Sequence, residues 1–235
     1  MANKYFRFKQ FTVRQEHCAM KVGTDGVLLG SWATVTAAAT RILDIGTGTG
    51  LIALMAAQRA PVALVDAIEI EEEASSQAGE NFESSPWSDR LSVYNMAIQD
   101  FRPEFKYDVI LSNPPYFSRS LKSESLKKCL ARHNESLPPS DLAACVGRLL
   151  DDNGSFAAIL PYEEANVFIA EAVEYGLYLT RRTDIRGRRA KPVKRVLMEF
   201  AKHPAWRLVS SQMHLENEDG SRSGAYAELT REFYL

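Results

Sequence analysis

Cysteine is scarce in this chain: Cys18, Cys129 and Cys145 stand far apart, with no Cys-x-x-Cys pair and no histidine at zinc spacing. That excludes a disulfide framework and a thiolate metal site, so no metal is expected and the thiols read as ordinary reduced side chains. No apolar run approaches the roughly 18 residues of a membrane span. Residues 1–7 have neither the apolar stretch nor the small-residue cleavage site of a secretory leader, so a cytoplasmic protein is expected. Repeats and low-complexity segments are lacking too. So is a surplus of charge: the net value of −2 argues against coating nucleic acid by bulk attraction, yet it leaves room for a local basic face. What is present is globular. With 46% hydrophobic and 25% charged residues over 235 positions, the chain can bury one α/β core of ordinary size.

Arg41-Ile42-Leu43-Asp44-Ile45 reads as a buried strand that runs into Gly46-Thr47-Gly48-Thr49-Gly50 and then an apolar helical stretch from Leu51. Glycines at alternate positions let the backbone turn tightly and approach a ligand with no Cβ in the way. A dinucleotide fingerprint needs its third glycine where Leu51 stands, and a phosphate loop needs a Gly-Lys-Ser/Thr ending that is missing. Asp44 would repel a phosphate, whereas a carboxylate there holds an ammonium through a charge-assisted hydrogen bond. The next strand, 63–69, ends in Glu69 with Ile70 behind it, about 20 residues beyond the loop, where a carboxylate receives ribose hydroxyls. A nucleoside carrying an amino-acid tail accounts for both ends, and S-adenosylmethionine is the common one. Asp44, Gly46, Gly48, Gly50, Glu69 and Ile70 are therefore its candidate ligands. Ala97 and Ile98, after the strand 91–95, fall where an adenine ring rests in a doubly wound sheet. Ahead of the first apolar helix, Thr24 or Asp25 either caps that helix or, with Lys21, closes over the cofactor.

Tyr107–Leu111 is a further strand, and Ser112-Asn113-Pro114-Pro115-Tyr116 follows where its loop begins. Two prolines fix φ and remove two N–H donors, leaving a rigid corner rich in acceptors. One –NH2 group there would donate to the Asn113 side-chain oxygen and to the Pro114 carbonyl while Tyr116 stacks on the planar group that carries it. An adenine, a cytosine and a carboxamide all fit. Drawing both protons toward acceptors frees the nitrogen lone pair, so positioning does most of the chemistry and no strong base is needed. His133, a solitary loop histidine, reads as polar surface. Ser140 is the expected cap of a helix to Leu150, and Asp151-Asp152-Asn153-Gly154 a turn before a strand over 155–160. Two last strand-like runs, 177–185 and 194–201, are joined by a loop carrying Arg186, Arg188, Arg189 and Lys191. Between Arg181 and Arg195 stand eight basic residues and one acid, Asp184. Such a patch reaches phosphates beside a target base. After residue 202 the tail is polar up to an aromatic segment over 226–235.

The glycine loop from Asp44 to Gly50, Glu69 and Asn113-Pro114-Pro115-Tyr116 together resemble the class I S-adenosylmethionine-dependent methyltransferases that act on exocyclic or amide nitrogen. More narrowly, from Phe6 to Ala201 the chain resembles the bacterial tRNA1(Val) adenine-37 N6-methyltransferases. That closer likeness lies in Phe6-Arg7-Phe8-Lys9-Gln10-Phe11, Lys21-Val22-Gly23-Thr24-Asp25-Gly26, Ser85-Pro86-Trp87, Phe117 after the corner and Thr183-Asp184-Ile185. The resemblance implies a doubly wound, Rossmann-like α/β fold: seven strands, helices on both faces and a short N-terminal extension. The chain then divides into a cover of the cofactor site (1–40), a methyltransferase core (41–201) and a tail (202–235) that no shared motif anchors and whose aromatics suggest packing on that core. The resemblance also implies catalysis at Asn113, Pro114, Pro115 and Tyr116 on an adenine of a tRNA anticodon loop, with Phe117, Arg119 and the basic run 186–191 contacting RNA. A glutamine amide in a protein offers the same two protons, but its methyltransferases usually carry a helical domain ahead of the glycine motif. Adenine in another RNA or in DNA, and a non-catalytic binding module, are the remaining alternatives.

Overall fold

The computed structural model describes residues 3–18, 20–115 and 137–235. A short antiparallel hairpin, β1 (Tyr5–Arg7) and β2 (Thr12–Arg14), comes first, and α1 (Thr24–Trp32) follows. Alternating units then give β3 (Arg41–Ile45), α2 (Leu51–Arg59), β4 (Leu64–Glu69), α3 (Glu72–Glu83), β5 (Leu91–Asn95) and β6 (Tyr107–Ser112). Past the undescribed segment come α4 (Pro139–Leu149), β7 (Leu150–Pro161), α5 (Tyr162–Ala172), β8 (Tyr178–Arg188), β9 (Val193–Ala201), β10 (Val209–Glu216) and α6 (Gly224–Leu229).

The main sheet runs β10-β8-β9-β7-β6-β3-β4-β5. From β7 to β5 neighbouring strands are parallel, while β9 is antiparallel to both β7 and β8. Strand order reverses between β3 and β6, so the loops leaving these strands diverge and open a crevice at their carboxyl ends. Side chains alternate across the sheet. Ile42 joins a core with α1, α2 and the N-terminal hairpin, and Leu43 joins the opposite core with α4 and α5. No helix among the described residues is long and apolar enough to cross a membrane.

Several expectations are corrected. The main sheet has eight strands rather than seven, because residues 209–216 add an edge strand parallel to β8. Neither Thr24 nor Asp25 caps α1; Gly23 is the N-cap and no side chain closes it. Helix α4 starts at Pro139 after Pro138, so Ser140 lies inside its first turn; a proline there gives up no hydrogen bond and has φ preset for the helix. Strand β7 already begins at Leu150. Tyr107 pairs with Leu150 and Val109 with Ser155, so residues 151–154 are pushed out of register opposite Asp108, a bulge where a turn was expected. Gly154 permits it, since a Cβ there would meet the Tyr107 carbonyl oxygen at 2.9 Å. Finally β8 extends through Arg188, so Arg186 and Arg188 belong to a strand rather than a loop.

Candidate active site

Three adjacent strand ends form the rim of the crevice. Ile45 is in register with Ile68 on one side and Ser112 on the other, so the glycine loop, Glu69 and Asn113 rise side by side. The base of the crevice is clamped by hydrogen bonds. Gly46 and Thr47 N–H groups donate to the Ile68 carbonyl at 2.9 and 3.1 Å, and Ser112 Oγ donates to the Ile45 carbonyl at 2.9 Å.

Asp44 is fully buried beneath the loop. Its Oδ2 accepts from Thr47 Oγ1 at 2.6 Å and from the Ala53 N–H at 3.2 Å, while Oδ1 has no partner among the described residues. Burial pushes this carboxyl up to about 7 against the pull of those two donors, and the nearby Glu69 charge adds to the rise. A buried acceptor left unpaired is costly, and an ammonium against Oδ1 would remove that cost and restore the charged form. Glu69, 8% exposed, accepts the Gly48 N–H at 2.8 Å through Oε2 and the Glu71 N–H at 3.1 Å through Oε1. Its carboxyl is also raised, chiefly by burial. With the Ile70 N–H as a third donor, the carboxylate still keeps lone-pair capacity for a hydroxyl. Asn95 carries no motif; its side-chain amide donates to the carbonyls of Glu69 and Ile70 at 2.9 and 3.0 Å and fixes the turn that aims Glu69.

The three glycines divide by environment. Gly46 and Gly48 have φ of +70° and +56°, and a Cβ on either would meet no atom within 4 Å. They border open space, as a ligand cradle does. Gly50 has φ +82°, and its Cβ would lie 2.6 Å from the Phe82 ring of α3. Gly50→Ala therefore combines left-handed strain with overpacking, and a loss of about 2–4 kcal/mol in unfolding free energy is expected by urea denaturation. The same change at Gly48 meets only the backbone strain and should act mainly on cofactor affinity.

Asn113 directly follows β6 with its Oδ1 buried and without a partner among the described residues; Pro114 is buried and Pro115 exposed. Tyr116, Phe117, Arg119 and His133 lie outside the described residues. In the loop after β5, Ala97 is half-buried while the Ile98 side chain belongs to the second core at 4% exposure. The Ile98 carbonyl takes Arg148 of α4 at 3.4 Å.

The N-terminal segment is fastened to the loop by polar residues that the sequence did not mark. Asn81 on α3 exchanges two hydrogen bonds with the Arg14 backbone, at 2.8 and 2.9 Å, and donates to the Thr49 carbonyl at 2.8 Å. Gln15 accepts the Val22 N–H at 2.8 Å. Burial first and the Glu69 charge second push the Cys18 thiol, on this strap of chain, up to about 12. Lys21 and Thr24 are exposed, and Asp25 Oδ2 accepts Arg195 Nε at 2.7 Å. Arg195 pairs in register with Pro161 at the carboxyl end of β7, so it stands on the same rim as Asn113. Of the basic run, Arg186 donates to the Lys191 carbonyl at 2.6 Å and Arg188 pairs with Glu216 at 3.2 Å, while Arg189 and Lys191 are exposed at the hairpin tip. No sequence spacing links Asp25 to Arg195; a lone arginine at a strand start carries no signal of its partner.

Comparison with known proteins shows what the chain is similar to. Residues 22–139 match the methyltransferase small domain family. A protein of Bacteroides thetaiotaomicron named tRNA1(Val) (adenine(37)-N6)-methyltransferase is 46% identical over 236 residues, spanning 100% of this chain and 99% of its own. Among solved structures, a predicted O-methyltransferase from Agrobacterium tumefaciens has a TM-score of 0.67 at 19% identity, covering 89% of this chain and 96% of that one. A glycopeptide N-methyltransferase complexed with (S)-adenosyl-L-methionine has a TM-score of 0.55 at 15% identity, covering 77% and 88%. The last two establish the fold alone.

Proposed function

The chain belongs to the tRNA1(Val) (adenine(37)-N6)-methyltransferase family, and from that premise we propose how its own residues serve S-adenosylmethionine-dependent methylation of an adenine N6 in tRNA. The cofactor supplies a methyl group on a positively charged sulfur. Asp44 Oδ1 holds the ammonium of its amino-acid end, and Glu69 takes the ribose hydroxyls. Gly46 and Gly48 allow the backbone to approach, and Ala97 and Ile98 border the adenine. Lys21, Thr24 and Asp25 close the site, Asp25 being held by Arg195.

On the substrate side, Asn113 Oδ1 and the Pro114 carbonyl accept the two protons of an exocyclic –NH2 group. An adenine amine is a poor nucleophile because its lone pair is shared with the ring, and two acceptors out of that plane localise it. Tyr116 stacks on the base, and Phe117, Arg119 and the run Arg186, Arg188, Arg189 and Lys191 meet the flanking RNA. An unpaired base of the anticodon loop, adenine 37 of tRNA1(Val), costs little to swing out. Such a substrate also sets the protein in the cytoplasm.

One observation supports this reading: two buried acceptors without partners among the described residues, Asp44 Oδ1 and Asn113 Oδ1, stand at the carboxyl ends of neighbouring strands. Each suits a nitrogen donor, the first charged and the second neutral. Incubating the protein with labelled cofactor, total tRNA and ribosomal protein, then identifying nucleosides by mass spectrometry, tests it. N6-methyladenosine in the tRNA is expected, and label in the protein fraction alone would overturn it.

A further inference from the structure

We propose that the outward face of the β1–β2 hairpin is a second contact surface for the substrate RNA and grips its sugar–phosphate backbone; this rests on the tRNA reading above. Cross-strand register sets Tyr5 opposite Arg14 and Arg7 opposite Thr12. Side chains alternate along a strand, so these four share one face while Phe6 and Val13 point at the core. With Lys4 and Glu16 they line a shallow concavity of about 400 Å³. Its lining holds three cations and one carboxylate, and that carboxylate pairs with Lys4 at 2.8 Å. Tyr5 is 55% exposed.

Like charges on one face of a two-stranded sheet repel each other, a cost that a polyanion reverses. Cations interleaved with an exposed aromatic are the side-chain set that tracks a phosphate chain and stacks on its bases. The placement suits the same partner. Through Asn81 the hairpin is docked beside the glycine loop, on the α3 side, whereas the other basic run lies across the sheet at the β8–β9 rim. An RNA that delivers its base to Asn113 is thus flanked by positive charge on both sides. The docking uses the backbone of Arg14 rather than its guanidinium, so the side chain can be exchanged with the hairpin in place.

Fluorescence anisotropy with an unmodified tRNA transcript, run over a salt series, tests this on the full chain. The double variant Arg7→Glu/Arg14→Glu should bind roughly tenfold or more weakly near 0.1 M salt, and its log–log salt slope should flatten by about two. Arg7→Lys/Arg14→Lys, which keeps the charges, should behave as the parent. Calorimetric affinity for S-adenosylmethionine should stay within about twofold in both. Unchanged RNA affinity and slope in the charge-reversed protein would overturn the proposal. So would an equal loss of cofactor affinity, which would make the hairpin a cofactor cover only. If the parent protein itself binds no tRNA at any salt, the underlying tRNA reading fails with it, and that failure shows in the parent's titration alone.

Discussion

Asn113→Ala is expected to leave less than about a tenth of the methyl-transfer rate, with cofactor affinity changed by no more than about twofold. In the proposed reaction the side-chain oxygen is one of two acceptors for the amine, and its work is done as the nitrogen lone pair is drawn out of conjugation. Its loss should therefore appear in kcat rather than in binding. Stability separates this role from a structural one. Asn113 Oδ1 is buried and makes no hydrogen bond among the described residues. Removing that acceptor leaves no donor there newly unpaired, so the unfolding midpoint should change little. Single-turnover kinetics beside thermal unfolding check both halves. A variant that keeps its rate, or one that loses rate only because it unfolds, would remove Asn113 from the chemistry. Asn113→Asp retains an acceptor and should recover part of what alanine loses.

The second large effect is a pH dependence of cofactor binding set by Asp44. Its carboxyl is raised to about 7 by burial. Below that pH the free protein holds a neutral acid that must ionise before it can pair with an ammonium. The dissociation constant should therefore fall by about tenfold per unit as pH rises from 5 toward 7, and level off above. Asp44→Asn should bind on the order of a hundredfold more weakly and lose that slope. Stability runs the opposite way in the free protein. A carboxyl whose folded value is raised favours folding below its unfolded value near 4, and that contribution fades as pH climbs to about 7. At pH 8 the Asp44→Asn protein should thus unfold later than its parent, an unusual pairing of weaker binding with higher stability. Calorimetry over pH 5–8, with thermal unfolding at the same points, measures both.

The catalytic half of the molecule was legible because its signals are local. Strand, glycine loop and helix occur in one unbroken stretch from Arg41 to Arg59, Glu69 ends the next strand, and proline chemistry marks the corner after β6. What escaped depends on contacts between distant residues. Val209–Glu216 is polar and largely exposed, so its alternation is weak; it becomes a strand because β8 offers it an edge. Residues 151–154 look like a turn in isolation, and only the pairing of Leu150 with Tyr107 holds them within a strand. The separate roles of the glycines were illegible too. Gly46, Gly48 and Gly50 are equivalent on paper, and it takes the Phe82 ring to distinguish packing from an open cradle. Asn81 and Arg195 carry no motif, yet one fastens the N-terminal strap to the loop and the other holds Asp25.

The hairpin that flanks the site is itself braced by the far end of the chain. Lys9 N–H donates to the Phe233 carbonyl at 2.9 Å, and Tyr234 stacks on Phe8 at 5.9 Å between ring centres. During synthesis the central sheet has most of its strands long before residues 226–234 emerge, so this brace forms last. A nascent or C-terminally clipped chain would own a finished sheet and a loosely seated hairpin. Loss of residues 233–234 should then be felt first in the seating of that hairpin, well before the fold gives way.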